Sequence, residues 1–383
     1  MRYVIFVILL AFSNSVVAQG FYIKGSVVSI GANTIFTVSD SLVNNGTLTN
    51  NGNMVMGGVW QNLGTYNPGT GEITFNSPSN SGPQIINHNN QSFSKLTISG
   101  GGVKLMLADL TIVDELILSD GIMSTQNDSK VYFQQGATIT GGSDESHIKA
   151  RVYQLGTGDK LFPVGDGTHY LPVEILDITT SSELEVKLSE FSTPQVFDFN
   201  SELADVSSKR YWEVELVTGS LSGSQISLPV KGDEGLSANT LQYVVVESAA
   251  SPIEFKPLGQ SSFIGSESDG TVTSQSAVTS KLVSVGTLSE KIIVYNAISA
   301  DGDARNAIMK IANIDLYPNN TVSVFNRWGD KVFEVKGYNN TDRVFRGEAN
   351  VGGNKDLAAG TYFYKIDKGD GSSLVSGYLS LKR

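Results

Sequence analysis

The chain has 383 residues, no cysteine, 17% charged residues and a net charge of −11 at pH 7. Without cysteine it can form no disulfide, metal–thiolate site or cysteine nucleophile, so extended sheets and buried apolar faces must stabilise it. The acidic balance argues against a nucleic acid partner, whose binding needs clustered Lys and Arg. Its 40 glycines, 10 prolines and scarce helical periodicity predict an all-β protein with many tight turns.

Residues 1–18 are typical of a secretory signal peptide. Arg2 supplies a positive charge, Tyr3–Phe12 is an apolar run, and small residues precede Gln19. The run is too short for a spanning helix, which needs roughly 20 residues. We predict entry into the periplasm by the Sec route and cleavage between Ala18 and Gln19.

Residues 19–143 carry a loose repeat. Leu42, Leu48 and Met54 are six residues apart, and Asn-Asn-Gly corners separate them. Asn and Gly tolerate the left-handed backbone of sharp corners. Short apolar strands between such corners predict an irregular β-helix or solenoid with Asn side chains laddering between coils. The alternative is a pair of packed antiparallel sheets.

Longer strands follow in the same region. Phe93–Ile98, Val103–Leu107 and Leu110–Val113 are separated by glycine-rich turns. Over residues 90–142 this phrasing resembles the irregular β-helical segments of Bacteroidetes surface proteins.

Residues 144–296 contain longer alternating strands, which predict a β-sandwich with one solvated face on each sheet. Four runs show the alternation: 183–188, 211–216, 241–246 and 291–295. Their glutamates are interpreted as solvated surface, namely Glu183, Glu185, Glu213 and Glu215.

Residues 297–383 predict a small immunoglobulin-like sandwich containing two hairpins. The first joins 321–325 to 331–335 through the turn Asn326–Asp330, where Gly329 can take a positive φ. The second joins 361–366 to 375–381 through a glycine-rich turn.

Four segments of this region occur in a recognisable order: Tyr317–Asn320, Val324–Gly329, Ala359–Tyr364 and Gly377–Arg383. Together they resemble the type B C-terminal sorting domain of Bacteroidetes, also called the gliding motility-associated C-terminal domain. The resemblance implies export by the type IX secretion machinery to the cell surface or medium, with a PorP/SprF-like outer-membrane barrel as partner. It points to these recognition residues: Asn326, Arg327, Trp328, Gly329, Gly360, Thr361, Tyr362, Lys382 and Arg383.

Exposed Arg327 and Trp328 with the terminal Lys382 and Arg383 would give an aromatic and cationic docking surface on an acidic chain. The alternative is a plain sandwich module in which Trp328 belongs to the core.

The loop that opens this region departs from the family pattern. It reads Ser299–Ala307 and lacks the usual proline, the last glycine and the final aspartate, and Phe345 stands where a tryptophan is usual. Asp301, Asp303 and Asn306 offer oxygen ligands for Ca²⁺, but no bidentate glutamate follows at calcium-loop spacing. A turn held by Asx hydrogen bonds is the favoured interpretation.

The sequence offers no catalytic constellation. His88, His147 and His169 lack metal-ligand spacing, and no nucleophile-elbow motif accompanies them. Trp60, Tyr66 and Trp212 could form a sugar-stacking platform, although core packing is favoured for Trp212. We expect a non-enzymatic surface protein with a structural or adhesive role and no cofactor. The alternatives are a protein that binds or acts on surface glycans and a subunit of an assembly around the partner barrel.

Overall fold

The computed structural model describes residues 15–191, 198–199, 202–236, 238–249, 253–299, 306–353 and 355–383. The chain divides into two compact units. The first comprises Met1–Phe197, Ser207–Gly235 and Val244–Val285; the second comprises Asp198–Val206, Leu236–Tyr243 and Gly286–Arg383. The predicted boundaries at residues 143 and 296 stay predictions. Most of the predicted signal peptide, residues 1–14, lies outside the described residues.

The first unit opens with a parallel β-solenoid, so the solenoid prediction is confirmed. Its strands are β1 (Ser15–Ile30), β2 (Ile35–Asn50), β3 (Asn53–Met56), β4 (Trp60–Asn62), β5 (Thr65–Asn67), β6 (Glu72–Phe75), β7 (Gln84–Asn87), β8 (Ser92–Ile98), β9 (Val103–Met106), β10 (Leu110–Leu118), β11 (Ile122–Thr125), β12 (Lys130–Phe133), β13 (Thr138–Gly141) and β14 (Ile148–Lys149). A 3₁₀ turn spans Ser79–Ser81.

Each coil of the solenoid contributes strand segments to three faces. In β2, Ile35 lies beside Asn53, Leu42 beside Trp60 and Thr47 beside Thr65, and each partner is 18 residues further along. Three faces in 18 residues give six residues per face, which explains the period seen in the sequence. The inward residues at this period are all buried: Leu42, Leu48, Met54, Trp60 and Tyr66.

An amide ladder predicted from the sequence is present inside the solenoid. Asn44 Nδ2 donates to Asn62 Oδ1 of the next coil at 2.7 Å and to the backbone oxygen of Thr65 at 2.9 Å. Asn44 Oδ1 accepts the Gly46 N–H at 3.0 Å. A buried amide is tolerated only when its donors and acceptor are paired, and here both roles hold a corner in shape.

An antiparallel region grows directly from the solenoid through one shared strand. Its strands, including two that lie partly or wholly in the second unit's segments, are β15 (Arg151–Phe162), β16 (Val173–Glu190), β17 (Asp198–Phe199), β18 (Leu203–Val206), β19 (Arg210–Thr218), β20 (Gln225–Lys231), β21 (Tyr243–Ser248), β22 (Glu254–Pro257), β23 (Ser262–Ser266), β24 (Asp269–Thr273) and β25 (Leu282–Leu288). β15 pairs in parallel with β12 and antiparallel with β16, and β16 pairs antiparallel with β19 and β20.

The expectation of one solvated face fails for the inner strands of this region. Val244, Val245 and Val246 are all fully buried, so β21 is covered on both faces. The neighbouring Glu247 is buried as well, where it accepts hydrogen bonds from Thr279 at 2.7 Å. Consecutive buried residues indicate a strand packed between layers.

The second unit contains small sheets built from β26 (Ile293–Val294), β27 (Ala297–Ser299), β28 (Ile311–Ala312), β29 (Thr321–Phe325), β30 (Lys331–Lys336), β31 (Glu348–Ala349), β32 (Lys355–Asp356), β33 (Gly360–Asp367) and β34 (Val375–Lys382). The main sheet has the order β27-β34-β33-β29-β30. β29–β30 and β33–β34 are antiparallel hairpins, as predicted. The strand expected at 308–311 is reduced to β28, after which the 3₁₀ turn Ile314–Leu316 follows.

One edge of this sheet is closed by a side chain. Asn350 Nδ2 donates to the Glu334 backbone oxygen and its Oδ1 accepts the Glu334 N–H, both at 2.9 Å. The Asn350 N–H also reaches the Val332 oxygen at 3.0 Å. These bonds occupy the groups that an edge strand otherwise leaves open to another chain.

Candidate functional site

A row of aromatic residues crosses the exposed face of the second unit's main sheet. Phe325 of β29 lies directly beside Phe363 of β33, which lies beside Tyr378 of β34. Phe363 is 48% exposed and Tyr378 60%. Aromatic rings at directly opposed positions contact one another across the strands. Exposed rings in a contiguous row mark an interaction surface more often than scattered single ones do.

The turn between β29 and β30 presents a fourth ring. Asn326 Oδ1 accepts the Trp328 N–H at 2.9 Å and the Asp330 N–H at 3.0 Å, and Gly329 has a φ of 88°. This Asx-type geometry fixes the turn and leaves Trp328 75% exposed. The alternative in which Trp328 belongs to the core is therefore wrong.

Two cations accompany these rings. The Arg327 guanidinium lies 4.8 Å from the centre of the Trp328 ring, and Lys365 Nζ lies 5.6 Å from that of Phe325. Both distances are within the range of cation–π attraction. We call Phe325, Trp328, Phe363 and Tyr378, with Arg327 and Lys365, the aromatic face.

The alternate residues of the same strands form the core beneath the aromatic face. Tyr362, Tyr364 and Ile366 are buried, and Tyr362 Oη donates to the Ala358 oxygen at 2.8 Å. Gly377 lies under the Tyr364 ring, where an added Cβ would come within 2.3 Å of Tyr364 Oη. Tyr362, predicted for recognition, thus contributes its side chain to packing, while Thr361 and Lys382 are exposed.

Arg383 is held by the domain itself. Its Nε donates to the Leu357 oxygen at 2.7 Å, Nη1 reaches the Asp356 carboxylate at 3.0 Å, and Nη2 reaches the Gly347 oxygen at 3.2 Å. The guanidinium fork is suited to several fixed acceptors at once. The sequence prediction of a free docking cation is replaced by a clamp that joins β34 to the segment around β32.

The remaining predicted site residues lie elsewhere. Asp301 and Asp303 are outside the described residues, and Asn306 lies in a turn with a φ of 51°, where its backbone oxygen accepts the Ser299 N–H at 2.9 Å. Within the described ranges, no cluster of three or more His, Asp or Glu side chains is placed to hold a metal ion. Ala18 and Gln19, at the predicted cleavage point, lie in β1.

The proposed sugar-stacking platform does not exist as a surface. Trp60 and Trp212 have no exposed area and Tyr66 is 5% exposed. Trp60 Nε1 donates to His88 Nδ1 at 3.0 Å, and the His88 ring stacks on Phe93 at 3.8 Å. Burial lowers the pKa of His88 to about 3, so the ring is neutral and fills the solenoid core.

The other histidines order one loop. His147 is buried and its Nε2 accepts the Gly167 N–H at 3.0 Å, while burial lowers its pKa. Asp166 contacts His169 Nδ1 at 3.1 Å. Burial raises the pKa of Asp166, but hydrogen bonds from His169 and Thr168 outweigh it and hold the pKa at about 2. These contacts indicate a fixed loop.

One of the glutamates assigned to solvated surface is misplaced by that assignment. Glu185 is buried and pairs with Lys130 at 2.5 Å and with Arg151 at 2.6 Å. Burial raises its pKa, but the two cations outweigh burial and lower it. Its partners come from β12 and β15, so Glu185 fastens the antiparallel sheet to the solenoid.

Sequence reasoning missed Phe325, Phe363, Lys365 and Tyr378 as members of the site. The signal was available, because alternation in β33 and β34 puts Phe363 and Tyr378 on the face where a solvated sheet carries polar residues.

With this geometry described, the comparisons with known proteins can be stated. Residues 292–381 match the family model of the CHU_C type IX secretion signal domain. This segment is a type IX sorting domain. It implies interaction with the type IX machinery and export to the cell surface or the medium. Comparisons with curated proteins and with solved structures gave no match. Nowhere in the described part of the chain does a helix reach the length and apolar character that crossing a bilayer requires.

Proposed function

We propose that the exported chain acts at the cell surface as a structural or adhesive element and performs no catalysis. The observation that supports this role is the outward surface of the solenoid. One column of stacked outward side chains runs through six successive coils: Thr37, Val55, Thr74, Thr97, Ile117 and Thr140. Strand spacing of about 4.8 Å repeats these groups regularly, which suits many weak contacts to an extended polar surface.

The aromatic face is proposed to engage the type IX machinery, with a PorP/SprF-like outer-membrane barrel as the partner. Tryptophan, tyrosine and arginine are the residues that most often dominate binding energy at interfaces. Arg327 and Lys365 on an acidic chain would favour a partner surface that combines an apolar recess with carboxylates. A Sec signal peptide cleaved between Ala18 and Gln19, in a bacterium of the Bacteroidetes, completes the proposed route.

Two experiments test the surface role. Cells lacking the chain, and cells complemented with it, are compared for attachment to solid surfaces and to one another. We expect attachment to fall without the chain and to return on complementation. The purified chain is also screened against polysaccharides for hydrolysis and against a glycan array for binding. Turnover of any polysaccharide contradicts the non-enzymatic role, and unchanged attachment contradicts the adhesive one.

A separate experiment tests the partner. Outer membranes are solubilised and the barrel is captured. Retention of the chain with the barrel supports the proposed docking, and retention that is unchanged after removal of residues 292–383 contradicts docking through the sorting domain.

A further inference from the structure

We propose that the first coil of the solenoid is a dimerisation edge, at which a second copy of this chain adds its own first coil in antiparallel register. The edge consists of β1. Within the described residues, β1 pairs with one strand, β2, along its whole length. Its other side is a sixteen-residue strand edge, which is long for an unpaired edge of a protein sheet.

The hydrophobic interior of the solenoid is uncovered at this coil. Phe21 and Val28 are in register with Leu42 and Leu48 of the next coil. Leu42 and Leu48 have no exposed area, whereas Phe21 and Val28 at the equivalent inward positions are only partly buried. The Phe21 ring contacts Phe36 edge-on at 5.0 Å, so it already points into the core. One more coil on top would bury these side chains as the lower coils bury theirs.

Exposed apolar side chains on the outer surface of β1 extend the uncovered area. Tyr22 is 59% exposed and Val27 60%. Edge strands of stable monomers are usually blunted by several charges, by proline or by a covering loop. Between residues 15 and 39 there is one charge, Lys24, and no proline.

Charge identifies a second copy as the occupant. The chain carries −11, yet residues 15–39 contain no carboxylate. Two copies that approach through most of their surfaces repel one another, whereas two first coils meet with almost no like-charge cost. The near-neutral edge is therefore suited to a partner with the same edge.

Symmetry then fixes how the copies meet. At the far end of the solenoid, β12 continues through β15 into β16, and Ile148 of β14 bridges to Val164. Two of the three faces are thus occupied there, so head-to-tail stacking of solenoids lacks a free end. A two-fold axis joins like edges and closes the assembly at two copies. Turning one coil over reverses its strand direction, so each segment meets its counterpart antiparallel, which is a favourable pairing.

The mass of the chain in solution tests the proposal. The full chain, recovered after processing by the cell, is measured by sedimentation equilibrium, and the expected mass is twice that of one chain. Val28→Lys places an ammonium group at the uncovered end of each copy, and we expect a monomer with an unchanged circular dichroism spectrum. The control is Ile264→Lys, at a 72% exposed apolar residue of β23, which should stay dimeric.

Cysteine cross-linking provides a test that does not depend on the lysine variant folding. Because the chain has no cysteine, Tyr22→Cys and Val27→Cys each introduce a single thiol at the edge. Mild oxidation should give a covalent dimer from at least one of them and none from Ile264→Cys. A monomeric mass for the unmodified chain overturns the proposal. So does a dimer that persists in Val28→Lys while neither edge thiol cross-links.

Discussion

Arg383 Nε donates a 2.7 Å hydrogen bond to the backbone oxygen of Leu357, and so ties β34 to the segment that follows β32. The same guanidinium reaches Gly347 and Asp356. The ion pair adds little because the Asp356 side chain is 71% exposed. The two carbonyl contacts carry most of the stabilisation.

Arg383→Ala should therefore destabilise the sorting domain by about 1–2 kcal/mol. Arg383→Lys should recover little of this, since an ammonium group cannot span the same acceptors. Urea unfolding of the full chain, with proteolysis sites mapped within residues 292–383, measures the change. If Arg383→Ala left unfolding unaltered while export fell, Arg383 would be a recognition residue after all.

Trp328→Ala should weaken docking without destabilising the domain. A ring that is 75% exposed contributes little to folding, whereas loss of an interface tryptophan costs about 2 kcal/mol of binding, or roughly thirtyfold in affinity. The fraction of chain outside the cell is compared with that for Leu374→Ala, a 55% exposed residue of the same domain that lies outside the aromatic face. Equal export by both variants would rule out Trp328 as an anchor.

Asn44→Ala should destabilise the solenoid by about 2–4 kcal/mol, because it leaves Asn62 Oδ1, the Thr65 oxygen and the Gly46 N–H without their partner. The matched control is Asn67→Ala, whose exposed side chain makes one bond to Thr49, and we expect about 0.5 kcal/mol or less. Circular dichroism during urea unfolding gives both values. Similar losses in the two variants would show that the ladder contributes nothing special.

The solenoid should lose stability as the pH falls from about 6.5 to about 3. The folded chain keeps His88 neutral down to its pKa of about 3, while the unfolded chain takes up a proton below the ordinary value of 6.5. The contribution of His88 is therefore complete above pH 6.5 and declines by up to about 1.4 kcal/mol for each pH unit below it.

A double variant isolates this effect. Trp60→Phe with His88→Phe removes the donor and the acceptor of the 3.0 Å bond together, so neither is left unpaired. Between pH 6.5 and 5, where carboxylates titrate least, its stability should depend less on pH than that of the unmodified chain. Parallel pH curves for the two would contradict a neutral His88.

Much of the fold was predictable because its repeat is local. The spacing of Leu42, Leu48 and Met54 reports one residue per face, and the Asn-Gly corners report where the chain turns. Likewise, the two hairpins of the sorting domain depend on nearby turns. The order of the faces was beyond the sequence, because coils differ in length: Trp60 of β4 lies beside Ile86, 26 residues on, where β2 and β4 are 18 apart.

What the sequence misassigned depends on distant partners. Glu185 reads as surface in an alternating strand, yet Lys130 and Arg151 approach it from strands 55 and 34 residues away. Trp60 reads as a sugar platform in a polar coil until His88, a full coil later, accepts its N–H. The aromatic face was half predicted: the turn residues carry a motif, whereas Phe363 and Tyr378 acquire their meaning from cross-strand register.

The stacking of coils by parallel pairing makes the solenoid a length-adjustable spacer. One added coil of about 18 residues lengthens it by one strand separation, about 4.8 Å, and leaves the hydrogen-bond register above and below untouched. Insertion or loss of whole coils thus changes how far the first coil stands from β15 in equal steps. Loss of part of a coil would instead turn its inward residues outward, so related chains should differ in this region by multiples of a coil.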